Sequence, residues 1–139
     1  MRAAQAKRVA ARGSSLYEAG MQSPLSGLKI LVVEDDAIIA EAALMLLADV
    51  GAHAIGPCAS VAAALTALAE QHVDLALLDV DLNGMRSTAV AHALAERKVP
   101  YVAATGHIIA AAMAGAPVIV NKPYTPAKLR AALESALAG

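Results

Sequence analysis

Four apolar runs in this 139-residue chain each end on residues that could do chemistry. "ILVV" (30–33) runs into Glu34, Asp35 and Asp36, and "LALL" (75–78) runs into Asp79, with Asp81 two residues on. "YVAA" (101–104) delivers Thr105 and Gly106, and "VIV" (118–120) is followed by Asn121, Lys122 and Pro123. Several carboxylates brought together repel one another unless a cation sits among them. Their hard oxygens suit Mg²⁺, which takes one or two carboxylates, several waters and a phosphoryl oxygen. A lysine offers a point charge to the same phosphoryl group, and a threonine hydroxyl offers a short-range donor. A carboxylate is also a competent nucleophile. If the four segments converge, the residues imply transfer of phosphate onto an aspartate.

Convergence depends on the elements that carry these residues. Apolar runs without polar alternation, such as 28–33 and 75–78, read as strands buried on both faces. Between them lie longer stretches with helical spacing: 36–51 closing at Gly51, 61–71 capped by Ser60, 88–98, and a last helix started by Thr125 and Pro126 and running to about Leu137. Residues 53–58 read as a short strand near a sheet edge, because they include Gly56 and Pro57. Residues 101–105 and 117–120 supply the fourth and fifth strands, with a short helix over 107–115 and a loop over 79–87. Five strand–helix units predict an α/β fold, a parallel sheet covered on both faces. In such doubly wound folds, chemistry gathers at the carboxyl ends of the strands near a topological switch point.

Composition sets the limits. The chain is 58% hydrophobic and 17% charged, so it can build a core, yet it has no Phe or Trp and only three Tyr. Alanine-rich helices must therefore pack close. No apolar run approaches the roughly 20 residues needed to span a bilayer, and residues 1–27 contain no secretory core, so no membrane partner is expected. Cys58 is the single cysteine, which excludes an intrachain disulfide and suits a reducing cytoplasm as a buried thiol. Residues 1–27 carry four basic side chains against one acid, and residues 28–139 carry seven against eleven. An acidic domain is a poor nucleic-acid binder. The expected organisation is a flexible basic leader over 1–27 and one domain over 28–139.

With these residues in place, the chain resembles the receiver domain of two-component response regulators over about residues 27–138. "ILVVEDD" resembles the family's acidic-pair motif, "LALLD" its phosphoacceptor strand, and "NKPY" its lysine motif. The resemblance implies a flavodoxin-like, five-stranded parallel sheet of order 2-1-3-4-5. It further implies Asp79 as phosphoacceptor and Mg²⁺ held by Glu34, Asp35, Asp79 and the backbone carbonyl of Asp81. Thr105 and Lys122 would bind the phosphoryl group, with Pro123 following a cis peptide. The implied partners are a sensor histidine kinase or histidine phosphotransfer protein upstream and a protein target downstream. The expected role is a stand-alone, cytoplasmic phosphorelay component with no activity as an enzyme beyond its own phosphorylation and dephosphorylation. There are departures. Asn83 stands where the family often has proline, and Ile119 where many members have an aromatic switch residue. Thr105 and Lys122 are 17 positions apart, which implies a reduced fourth helix. "AATGHI" is similar to the Phe-Ala-Thr-Gly-uncharged-Tyr motif of an atypical subgroup, but Ala103 and Ile108 replace both aromatics.

Each residue also has a plainer use. Asp79 could open a loop, Glu34 and Asp35 could favour a helix start, and Lys122 could be a solvated surface lysine. Asp36 reads as a helix cap, Asp74 as a turn residue, and the side chain of Asp81 as dispensable. The histidines, 53, 72, 92 and 107, lack metal-ligand spacing; only His107 lies near enough to Thr105 to touch the site's rim. Two rival functions remain. "LLDVDLNG" also resembles the motif of haloacid-dehalogenase-type phosphatases, with Asp79 as nucleophile, but the only later acids are Glu96 and Glu134. The other rival is a degenerate receiver acting only as a binding module.

Overall fold

The structure, a computed structural model, describes residues 23–106 and 118–139. Its strands are β1 (Lys29–Val33), β2 (His53–Cys58), β3 (Leu75–Asp79), β6 (Tyr101–Thr105) and β7 (Val118–Asn121). A two-residue pair, β4 (Asp81–Leu82) and β5 (Met85–Arg86), lies between β3 and β6. The helices are α1 (Ala37–Asp49), α2 (Val61–Glu70), α3 (Thr88–Glu96) and α4 (Pro126–Ala138). The five long strands form a parallel sheet of order β2-β1-β3-β6-β7, which is the expected 2-1-3-4-5.

Period-two geometry sends alternate side chains to opposite faces. Leu31, Val33, Ala76, Leu78 and Ala103 meet α2 and α3 on one face, through Ala64, Leu68, Val90 and Leu94. Ile30, Val32, Leu75, Leu77, Val102 and Ala104 meet α1 and α4 on the other, through Ala43, Leu47, Leu129 and Leu133. Because both faces are covered, β3 and β6 are buried along their whole length. Among the described residues, Tyr101 is the bulkiest of the fully buried side chains and supplies volume that the alanine-rich helices lack.

Local chemistry sets the element ends. The Asp36 carboxylate accepts from the N–H groups of Ile38 and Ile39, as the cap reading requires, and Gly51 closes the α1 end at a positive φ of 81°. Ser60 and Thr125 cap α2 and α4. Both Gly56–Pro57 and Lys122–Pro123 are cis.

Two expectations need correcting. The segment after Asp79 is not a plain loop: Asn83 (φ 51°) and Gly84 (φ 83°) turn an antiparallel hairpin that pairs Asp81 with Arg86. Two successive positive φ values suit an Asn-Gly hairpin turn, and proline could not adopt the φ of Asn83. Residues 23–27, assigned above to the leader, pack on the domain. Leu25 has no exposed surface, and the Gly27 N–H donates to the carbonyl of Gly51. Burying such a leucine is worth roughly 1.5–3 kcal/mol. The rest of the leader and the short helix expected over 107–115 lie outside the described residues.

Candidate functional site

β1 and β3 are neighbours with Val33 opposite Leu78, so Glu34 and Asp79 emerge side by side at the carboxyl edge of the sheet. Each is only 4% exposed. β6 and β7 pair with Thr105 opposite Asn121, and the Lys122 N–H donates to the Thr105 carbonyl at 2.8 Å. The register therefore brings Lys122 back over the centre of the sheet. Its Nζ lies 3.2 Å from Glu34 Oε1 and 3.2 Å from Asp79 Oδ2, so the ammonium bridges two acids from different strands. Thr105 is buried, and with Gly106 it lines the open cleft of about 480 Å³ that Asp35, Asp36, Asp79, Asp81 and Lys122 complete.

Main-chain donors orient the acids. The Asp36 N–H donates to Glu34 Oε2 at 3.0 Å, and the Asp81 N–H approaches Asp79 Oδ1 at 3.3 Å. The Asn83 N–H donates to Asp35 Oδ2 at 2.8 Å, which ties the hairpin turn to the acidic loop after β1. The Asp81 carboxylate instead pairs with Arg86 Nε at 3.2 Å on the exposed hairpin. It stays out of the cluster formed by Glu34, Asp35 and Asp79, whose carboxylate oxygens lie within 4.8 Å of one another.

Crowding shifts the ionisation of the group. Burial pushes the Asp79 carboxyl up to about 7, aided by the hydrogen bond and charge of Glu34 and opposed by Lys122. Burial works against the Lys122 ammonium, but Asp79 and Glu34 hold its pKa above the ordinary value. Burial also pushes Asp35 up, yet hydrogen bonds, the Asn83 N–H foremost, outweigh it and leave its carboxyl below the usual range. Among the described residues, Lys122 thus fails to offset burial and the Glu34 charge at Asp79. Hard oxygens with surplus negative charge are a donor set that fits Mg²⁺.

The sequence-identified residues Glu34, Asp35, Asp79, Asp81, Thr105 and Lys122 all reach this cleft or its walls. Ile119 is partly exposed on the β7 edge, and His107 lies outside the described residues. Neither acid that a dehalogenase-type phosphatase would require joins the cluster. Glu96 ends α3, and Glu134 is held by Arg130 and Ser23. Two residues escaped the sequence reading. The Tyr124 hydroxyl is buried without a partner among the described residues, its pKa pushed up to about 12 by burial and by the charges of Glu34 and Asp79. Ser87, fully buried, bonds to the main chain of Asp79. Only the tyrosine carried a signal, its position two residues after Lys122.

Comparison with known proteins agrees with this geometry. No curated protein matches the chain by sequence. Among solved structures, a CheY-like response regulator receiver domain protein from Methanospirillum hungatei JF-1 superposes with a TM-score of 0.73 at 25% identity, over 81% of this chain and 95% of that one. A putative response regulator from Chloroflexus aurantiacus J-10-fl gives 0.73 at 26% identity, over 82% and 100%. The receiver domain of a sensor histidine kinase from Pseudomonas aeruginosa PAO1, with a magnesium ion coordinated in its active-site cleft, gives 0.72 at 22% identity, over 82% and 100%. The response regulator receiver domain model matches residues 30–134, and the chain belongs to that family.

Proposed function

We propose that this chain accepts a phosphoryl group on Asp79 from a phosphohistidine of a sensor histidine kinase or histidine phosphotransfer protein. It then signals through protein–protein contact with a downstream partner. One observation carries the reading: Lys122 Nζ bridges Glu34 and Asp79, 3.2 Å from each, at the mouth of a cleft lined with acids.

In this reading Asp35 and Asp79 would hold Mg²⁺ directly, with Glu34 helping and the Asp81 carbonyl completing the protein's share. When bound, Mg²⁺ would neutralise the acids and draw charge from the phosphoryl oxygens. The chain's own residues do the rest. The Asp79 carboxylate oxygen bonds to phosphorus as the P–N bond of the donor breaks. The bond's electron pair stays on the donor nitrogen, and because the other ring nitrogen of the phosphohistidine already carries a proton, the imidazole departs neutral. Lys122 exchanges its contact with the Asp79 carboxylate for a phosphoryl oxygen, keeping a cation against the added negative charge. The Thr105 hydroxyl, at the wall of the cleft, serves as a donor to another oxygen. Most of the assistance is positioning and electrostatics, as expected for phosphoryl transfer.

Incubation with Mg²⁺ and acetyl phosphate, followed by intact-mass measurement, tests the reading. One phosphoryl group, labile in acid and alkali, is expected on Asp79. No mass gain in the wild-type chain, or a group mapped to another residue, overturns it.

A further inference from the structure

Among the described residues, three of the four helices begin at a residue whose side chain caps them, and α3 does not. Asp36, Ser60 and Thr125 each accept an N–H from the first turn of the helix that follows. Ser87 stands at the same position before α3 but makes no capping bond. Its hydroxyl points the other way. Oγ lies 2.6 Å from the Asp79 carbonyl oxygen and 3.1 Å from that of Val80, while its own N–H donates to Val80 at 2.9 Å. A serine has one hydroxyl proton, so it serves one carbonyl at a time, and the shorter contact favours Asp79. Ser87 has no exposed surface, so water cannot easily stand in for it.

A preferred cap residue that leaves its helix uncapped breaks a local rule, and such breaks gather at functional sites. The gain here is control of the β3 end. The Val80 N–H is held by Ala104 and the Asp81 N–H by the Asp79 carboxylate, so the main chain of 79–81 sets both that carboxylate and the Asp81 carbonyl. We propose that Ser87 is a positioning residue: its hydroxyl, bonded to the Asp79 carbonyl, fixes the phosphoacceptor and the Asp81 carbonyl at the spacing that binds the metal and accepts phosphate. This rests on the reading of Asp79 given above.

Ser87→Ala is compared with Ser60→Ala, which removes a serine that does cap its helix, and with Ser87→Thr, which keeps the hydroxyl. Mg²⁺ affinity by calorimetry, labelling by acetyl phosphate, and amide exchange of the metal-free chain are measured at temperatures equally far below each melting point. Removing a group that orients metal ligands costs about 10–100-fold in metal affinity. Ser87→Ala should therefore weaken Mg²⁺ binding about tenfold or more and lose protection at Val80 and Asp81. Ser60→Ala should lose protection only in α2 and bind Mg²⁺ within about twofold of wild type, while Ser87→Thr recovers most of the affinity. Should Ser87→Ala fail to fold, Ser87→Cys, similar in shape but a weak donor, carries the same comparison. Wild-type Mg²⁺ affinity and protection in the folded variant lacking the hydroxyl would overturn the proposal. A wild-type chain that takes no phosphate would overturn the reading of Asp79 instead, while metal affinity and exchange still decide the role of Ser87.

Discussion

Asp74 and Asp79 stand at opposite ends of the same strand, five residues apart, and meet opposite surroundings. Asp74 precedes β3 at the amino edge of the sheet. It accepts the Lys29 N–H at 2.8 Å and faces His72 Nε2 at 2.7 Å. Burial nudges its pKa up, but the Lys29 N–H and His72 outweigh burial and hold the carboxyl below its ordinary value. Asp79 meets two other carboxylates and one ammonium, and sits near 7. Both acids are withdrawn from bulk water to some degree; the company they keep separates them. A carboxylate supplied with donors is finished and serves the fold. One packed against further carboxylates is left to attract a cation, and such perturbed groups mark functional sites.

Phosphorylation gives the sharpest contrast. Asp79→Asn should abolish labelling by acetyl phosphate, whereas Asp74→Asn should label at close to the wild-type rate. Intact mass read over time decides it, and full labelling of Asp79→Asn would place the acceptor elsewhere. A smaller effect separates two adjacent acids. Asp35→Asn removes a member of the cluster and should weaken Mg²⁺ binding by about tenfold or more, about 1.4 kcal/mol. Asp36→Asn keeps an equally good cap and should change Mg²⁺ affinity by less than about twofold. Titration calorimetry of the two variants checks this; equal losses would mean that the acids have been assigned in the wrong order.

The contrast between the two ends also explains what could be read from the sequence. Buried strands reveal themselves as unbroken apolar runs, and a carboxylate at the end of "LALLD" is legible because nothing else in the run is polar. The sheet order and the convergence of Glu34, Asp79 and Lys122 followed from that pattern joined to the family resemblance. Contacts made by main-chain atoms or by an unremarkable hydroxyl were not legible. Nothing in the letters 83–87 says that Asn83 donates its N–H to Asp35 or that Ser87 turns from its helix to Asp79. The hairpin itself had a signal in Asn83-Gly84, which the flanking residues, only two on each side, were too short to reinforce. Leu25 was hidden by its neighbours. A lone leucine among Ser, Pro and Gly reads as linker until tertiary contacts bury it.

The smallest predicted effect is on stability, and its sign follows from the two carboxylates. The fold raises the Asp79 pKa from 3.8 to about 7, so between these values the folded chain keeps a proton that the unfolded chain has lost. Stability then falls as pH rises through that window, since it falls wherever the folded state binds more protons. The contribution of Asp79 is fully present below the unfolded value and gone above about 7. Asp74 behaves oppositely. Its lowered pKa makes a contribution that is present above the unfolded value and lost as pH falls through the folded one. Asp79→Asn keeps the shape and removes the titration, so without Mg²⁺ it should raise Tm by several degrees at pH 8, by less at pH 5, and hardly at all below the unfolded value of 3.8. Asp74→Asn should lower Tm at pH 8, because Lys29 and His72 lose a charged acceptor. Adding Mg²⁺ should raise the Tm of the wild type far more than that of Asp79→Asn, since only the former keeps the acid that destabilises the metal-free chain. Thermal unfolding across this pH range, with and without Mg²⁺, measures all three. An Asp79→Asn chain that melts below wild type at pH 8 would show that the Lys122 ammonium outweighs burial and Glu34, and that Asp79, like Asp74, is a satisfied structural acid.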